Sequence, residues 1–209
     1  MTDGLYLAFE GGEGTGKTTQ IAYLKDELGD RGYTVHTTRE PGGTALGNTI
    51  RGLLLGKEGP KFCDATEMLL FFLARTELNH SVIQPALTRG EMVLADRSFY
   101  SSWAYQVCTR GVDPDFFRGQ FAGGYIAIPD LTIILDIEPK EGLRRVGARG
   151  LLDRIDAEKL PFHQTVRQAF LELPQNFPGR KFITIDATPP KEEVYSAIME
   201  AVNPYLPQP

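Results

Sequence analysis

Gly11-Gly12-Glu13-Gly14-Thr15-Gly16-Lys17-Thr18-Thr19 sets glycines, a lysine and hydroxyls at the spacing G-x-x-x-x-G-K-[ST]. In such a loop successive backbone N–H groups can turn inward around a phosphate, because glycine tolerates positive φ and carries no Cβ to block the approach. A helix opening directly after the loop adds its own unsatisfied N–H groups and dipole. Lys17 brings a point charge for the outer phosphates, and the Thr18 hydroxyl suits Mg²⁺. The chemistry implied is the binding of a nucleoside triphosphate by Gly11 through Thr19. A glycine-rich surface turn could match the letters, but the setting argues otherwise. The apolar run Leu5–Phe9 before the loop reads as a buried strand. After it, Ile21, Leu24 and Leu28 follow helical spacing over Thr18–Gly29.

Other residues could act on what the loop binds. Met92–Ala95 reads as a strand that ends in Asp96-Arg97. A carboxylate at the tip of an apolar strand is the Walker-B arrangement, beside the Mg²⁺ of a P-loop, and Arg97 would face the same cleft. Tyr33–Thr38 reads as another strand and runs into Arg39-Glu40-Pro41-Gly42-Gly43-Thr44. That places the Arg39 cation on a tight loop at the carboxyl edge of a sheet, where open α/β folds bind ligands; a surface turn with a solvated arginine is the alternative. Phe71 and Arg75 lie one helical turn apart, so the ring could stack on a flat base while the guanidinium bonds its edge. A core phenylalanine beside a surface arginine would read the same. Lys140–Asp156 carries Arg144, Arg145, Arg149 and Arg154 and is broken by Gly147 and Gly150. Such a segment makes a poor static helix and could close over phosphates as a lid; a solvated charged helix is the alternative.

These residues need a frame. The segments Leu131–Ile137 and Lys181–Ile185 read as two further strands, the first continuous and apolar as at the centre of a parallel sheet. Helices are predicted over Leu46–Leu55, Met68–Leu87 with a break near Pro85, Ser98–Val107, Asp115–Phe121, Glu158–Leu173 and Pro190–Val202. In the long one, Leu69, Phe72, Leu73 and Thr76 form the expected core stripe. Strands and helices alternate without a repeat or linker, predicting one α/β domain. The 209 residues, 42% hydrophobic, suffice for its core. A net charge of −5 argues against a nucleic-acid partner held by phosphate neutralisation. Two cysteines, Cys63 and Cys108, show no metal spacing and are expected to be buried or idle thiols. The N-terminus does not read as a signal peptide and no stretch approaches a membrane span, so a cytoplasmic protein with no membrane partner is expected. His36, His80 and His163 show no partner pattern and receive no catalytic role.

FEGGEGTGKTT, REPGGT, LLFFLAR, DRSFYSSWAYQ, ARGLLDRID and IDAT follow one another in the order found in thymidylate kinases, and the chain resembles that family nearly end to end. The resemblance implies a single P-loop nucleoside monophosphate kinase domain over 1–209, with a five-stranded parallel sheet, helices on both faces and a lid at about 142–156. It implies phosphorylation of dTMP to dTDP with ATP and Mg²⁺, and a homodimer packed through helices. By the same similarity Lys17 and the loop hold the ATP phosphates, with Thr18 and Asp96 at the metal. Arg39 and Arg97 bind the acceptor phosphate, with Pro41 and Ser101 beside them. Phe71 stacks on the base, and Arg75, Ser102 and Gln106 contact it. Tyr105 sits against the 2′ position, and Glu10 and Glu13 lie near the acceptor sugar or phosphate. Ser102 stands where several relatives have Asn. Some members carry an arginine inside the P-loop. This one has none there, and it looks like the bacterial variant whose lid supplies the cation, here Arg149 and Arg154. A kinase of another nucleotide, or of a nucleoside with Glu10 as base, is the nearest alternative. A nucleotide-gated switch is the next, although no N-K-x-D guanine-reading segment is present.

Overall fold

A computed structural model describes residues 4–56, 60–121, 123–148, 150 and 153–207. Strand β1 (Leu5–Glu10) is buried throughout and apolar as far as Phe9, yet its side chains divide by the two-residue period of a strand. Leu5, Leu7 and Phe9 join one core with the helix α1 (Lys17–Asp30), while Tyr6 joins a second core on the opposite face. Both faces are therefore covered, the condition under which a strand can dispense with polar alternation. The remaining strands are β2 (Val35–Arg39), β3 (Met92–Asp96), β4 (Leu131–Asp136) and β5 (Phe182–Asp186). All pair in parallel, in the order β2-β3-β1-β4-β5. The order reverses at β1, so the glycine loop leaves the sheet where doubly wound folds bind ligands. Register puts Asp96 opposite both Phe9 and Arg39, which brings the three predicted ligand-bearing strand ends to one edge.

The helices after α1 are α2 (Ala45–Leu55), α3 (Asp64–Leu78), α4 (Gln84–Thr88), α5 (Phe99–Ser102), α6 (Pro114–Gly119), α7 (Pro139–Gly147), α8 (Leu160–Leu171), α9 (Leu173–Asn176) and α10 (Lys191–Val202). Helix α10 packs with α1 on one side of the sheet, through Val194, Ile198 and Val202. Met68 of α3, α5 and Val166 and Phe170 of α8 build the aromatic core on the other side. Two of the predicted helices contain wide turns. Asn79–Ile83 is π-helical between α3 and α4, just before Pro85, whose ring and missing N–H do not fit an α-helical turn. Trp103–Thr109 is π-helical after α5.

The stripe expected at the core on α3 is not the buried one. Leu69 and Leu73 are 48% and 49% exposed, whereas Met68, Ala74, Arg75 and Leu78 are buried. The helix is turned inward around a buried ion pair, Arg75 with Glu40, so its leucines face outward. Both cysteines are exposed instead of buried. His36 does have a partner, Glu91 at 2.7 Å. Among the described residues no helix is long and apolar enough to cross a membrane.

Candidate active site

The turn that ends β1 needs its glycines. Gly11, Gly14 and Gly16 all have positive φ. A Cβ on Gly14 would lie 2.1 Å from the Gly142 carbonyl oxygen, and one on Gly142 would lie 2.2 Å from that of Glu13. Loop and α7 are thus in backbone contact. A Cβ on Gly12 or Gly16 would meet nothing within 4 Å, so the loop keeps open space on that side. Helix α1 begins at Lys17 with no side-chain cap and no acidic residue in its first turn, which leaves its N–H groups available to an anion.

Lys17 Nζ donates to the carbonyls of Gly11 (3.1 Å) and Gly12 (2.9 Å) and to Thr15 Oγ1 (3.2 Å). Burial lowers its pKa to about 8, with repulsion from Arg97 adding to the effect. The Thr18 hydroxyl donates to Asp96 Oδ2 at 2.7 Å, which joins the loop to the tip of β3. The two residues predicted at the metal are therefore in hydrogen-bond contact. Among the described residues no group of three or more His, Cys, Asp or Glu could hold a metal. A cleft of about 990 Å³ is lined by Glu13 through Thr19, Arg39, Arg51, Asp96, Arg97, Asp153 and Asp156.

Arg97 occupies the middle of this edge. Its φ is +75°, left-handed for a residue with a side chain, and its N–H donates to Phe9 O at 2.9 Å. The guanidinium donates through Nη1 to Gly11 O (3.1 Å) and Ser101 Oγ (3.2 Å), and through Nη2 to Glu13 Oε1 (2.8 Å). It also lies over the Tyr105 ring at 5.2 Å. Tyr105 donates its hydroxyl to the same Glu13 oxygen at 2.6 Å. Burial pushes Glu13 up, but Arg97, Lys17 and the Tyr105 hydroxyl outweigh it and hold the carboxyl at about 2.

Glu10 does not reach the cleft. It is fully buried and accepts from Ser98 N–H and Ser98 Oγ, both at 2.8 Å, and from Ser101 Oγ at 2.7 Å. Burial raises its pKa against the pull of Arg97. Its geometry makes it the anchor of the segment that carries Arg97 and Ser101.

A smaller pocket opens beside the large cleft and shares Glu13, Glu40, Arg51, Arg97 and Asp153 with it. Pro41, Phe71, Arg75, Ser101, Ser102, Tyr105 and Gln106 line it, so residues spread along 66 positions of sequence, which the resemblance grouped, meet in one pocket. The Glu40–Pro41 peptide is cis. Arg75 donates to Glu40, to Ser102 Oγ (3.1 Å) and to Ser98 O (3.4 Å). Arg39 lines the large cleft and is exposed.

The lid arginines stand differently. Arg149 lies outside the described residues. Arg154 is not directed at the large cleft: it donates to Leu54 O at 2.9 Å and to the buried carboxylate of Glu67. Basic residues of α7 are occupied as well, Arg144 and Arg145 by Glu141 and Arg145 also by Ala187 O. From the segment predicted as a lid, Asp153 and Asp156 line the cleft instead. Four residues of the site were not singled out from the sequence. Glu40 is the counter-ion of Arg75, and its only signal was its place inside REPGGT. Arg51, the sole charged residue of α2, lines both cavities and donates to Pro41 O at 3.0 Å. Ser98 ties Glu10 down. Glu67 gave no sequence signal.

A family model described as thymidylate kinase matches residues 9–198. A thymidylate kinase of Deinococcus radiodurans is 42% identical over 206 residues, covering 97% of this chain and 98% of its own length. One from Magnetococcus marinus is 44% identical over 203 residues, covering 96% of each. The crystal structure of thymidylate kinase from Ehrlichia chaffeensis superposes with a TM-score of 0.76 at 27% identity, covering 96% of this chain and 99% of that one.

Proposed function

The chain belongs to the thymidylate kinase family, whose reaction is the phosphorylation of dTMP to dTDP, and we propose that it takes the phosphoryl group from the γ position of ATP, with Mg²⁺, within a single domain closed by the lid at about 142–156. The observation that carries this reading is the meeting of two kinds of site at Arg97: a glycine loop with Lys17 on one side, and a pocket with Phe71, Arg75 and Gln106 on the other. Backbone N–H groups of Gly11 to Thr19 and the Lys17 ammonium hold the donor phosphates. Thr18 and Asp96 offer hard oxygens of the kind Mg²⁺ accepts beside phosphate and water. Bound there, the ion neutralises charge on the phosphates.

Arg97 and Arg39 hold the acceptor phosphate. Its oxygen is already anionic near neutral pH, so the reaction needs positioning and charge more than a base. The buried, serine-bound Glu10 is consistent with that, and it argues against a nucleoside kinase that uses Glu10 to take a hydroxyl proton. Phe71 stacks on the base, with Arg75, Ser102 and Gln106 at its edge. Tyr105, fixed by Glu13, stands against a 2′-hydroxyl. Arg149 supplies the lid cation. The working form is a cytoplasmic homodimer joined through the exposed leucines of α2 and α3, Leu46, Leu53, Leu69 and Leu73.

An acceptor panel with ATP and Mg²⁺ tests the reading: dTMP, dUMP, dCMP, AMP and thymidine. The highest kcat/KM is expected for dTMP. Thymidine outcompeting dTMP would overturn it.

A further inference from the structure

Glu67, in the first turn of α3, is 1% exposed and carries three polar neighbours that belong to different parts of the site. Gln106 Nε2 donates to its Oε1 at 3.0 Å. Arg154 from the lid donates to its Oε2. Arg110 Nε stands 3.4 Å from Oε1. Gln106 lines the acceptor pocket together with Phe71 and Arg75, and Glu67 does not.

Both oxygens of Glu67 face donors, Oε2 the guanidinium of Arg154 and Oε1 that of Arg110 and the NH₂ of Gln106, so the group acts as an acceptor. The Gln106 carboxamide must turn its NH₂ toward it; the flipped rotamer would set oxygen against oxygen. The Gln106 nitrogen is then engaged, though it keeps a second N–H, and the polar atom left without a partner is the carbonyl oxygen, an acceptor. An acceptor there suits a ring N–H and opposes a ring nitrogen that is itself an acceptor. Thymine and uracil carry the first at N3, and cytosine carries the second. A site built around such a hydrogen bond rejects the wrong partner because a buried polar group is left unpaired.

We propose that Glu67 is a specificity-determining positioning residue: by fixing the orientation of the Gln106 carboxamide it selects acceptor bases with a ring N–H over cytosine. This rests on the dTMP reading above and adds to it a residue that does not line the pocket.

The test is Glu67→Gln assayed with dTMP, dUMP and dCMP. In the variant Arg154 retains the side-chain oxygen of residue 67, so the new NH₂ faces Gln106 and the Gln106 amide turns over. The kcat/KM for dTMP and dUMP is expected to fall in parallel, by about tenfold, through KM, while that for dCMP rises. A purely structural role would lower all three by one common factor, and that result would overturn the proposal. A wild-type enzyme that does not prefer dTMP and dUMP over dCMP would overturn the acceptor reading together with it. A second measurement needs neither activity nor a folded variant of Glu67. In ¹⁵N spectra of the wild-type protein without nucleotide, the Gln106 side-chain NH₂, assigned with Gln106→Met, is expected as two resolved, slowly exchanging protons. Fast solvent exchange of both would overturn the proposal regardless of substrate.

Discussion

The Lys17 ammonium donates to the loop carbonyls of Gly11 and Gly12, and burial with Arg97 nearby lowers its pKa to about 8. Burial and Arg97 penalise the charged form, so a good part of the population is neutral slightly above that pH. Nucleotide phosphates favour the charged form and raise the pKa. Binding of ATP·Mg²⁺ near pH 8.5, where the nucleotide itself no longer titrates, is therefore expected to take up protons. Calorimetry in buffers of different ionisation enthalpy measures this directly. Lys17→Arg, which stays charged, should abolish the uptake; uptake that survives the substitution would assign it to another group. The loop residues were legible in the sequence because their spacing has meaning only between a strand and a helix. Glu40, Glu67 and Arg51 were not, since each acts through a partner distant in the chain. Arg154, for example, meets Glu67 across 87 positions.

At the scale of elements, the contact of Gly14 with Gly142 couples the phosphate loop to α7. Neither backbone can retreat far, because one is tied to the sheet edge and the other starts the helix that leads into the lid. Gly142→Ala drives a Cβ into the Glu13 carbonyl and displaces the loop. Overpacking of this kind costs roughly 1–3 kcal/mol, equivalent to a Tm lower by about 2–12 °C in a chain of this size. The KM for ATP should rise about tenfold or more as the loop shifts. Gly29→Ala, on a helix where a Cβ meets nothing within 4 Å, is the control and should leave both unchanged or raise Tm slightly. Calorimetric melting and steady-state kinetics on the pair check the claim. Strand and helix positions were readable from hydrophobic period and glycine punctuation; the order of the strands in the sheet was not. The facing of α3 was not. Amphipathic logic puts leucine inside and arginine outside, and a buried Arg75–Glu40 pair reverses it.

For the whole molecule, that reversal leaves apolar surface without a partner in the single chain. Leu46 and Leu53 on α2 and Leu69 and Leu73 on α3 are 40–49% exposed, and α2 packs directly against α3. Grouped leucines on a folded chain are a common sign of an interface. Leu69→Glu with Leu73→Glu is expected to convert a dimer to a monomer in sedimentation velocity, with the sheet and its far-ultraviolet dichroism retained. A wild-type chain that sediments as a monomer at micromolar concentration would refute the assembly.

The left-handed backbone at Arg97 bears on how this protein could change over generations. Among the described residues it is the one non-glycine position with positive φ. The main chain there favours glycine by roughly 1 kcal/mol or more. Glycine would leave the Glu13 carboxylate without its guanidinium partner, a loss of larger size, so the strain is held in place by the contacts of the side chain. Substitutions at position 97 are therefore constrained from two directions, by the backbone and by Glu13.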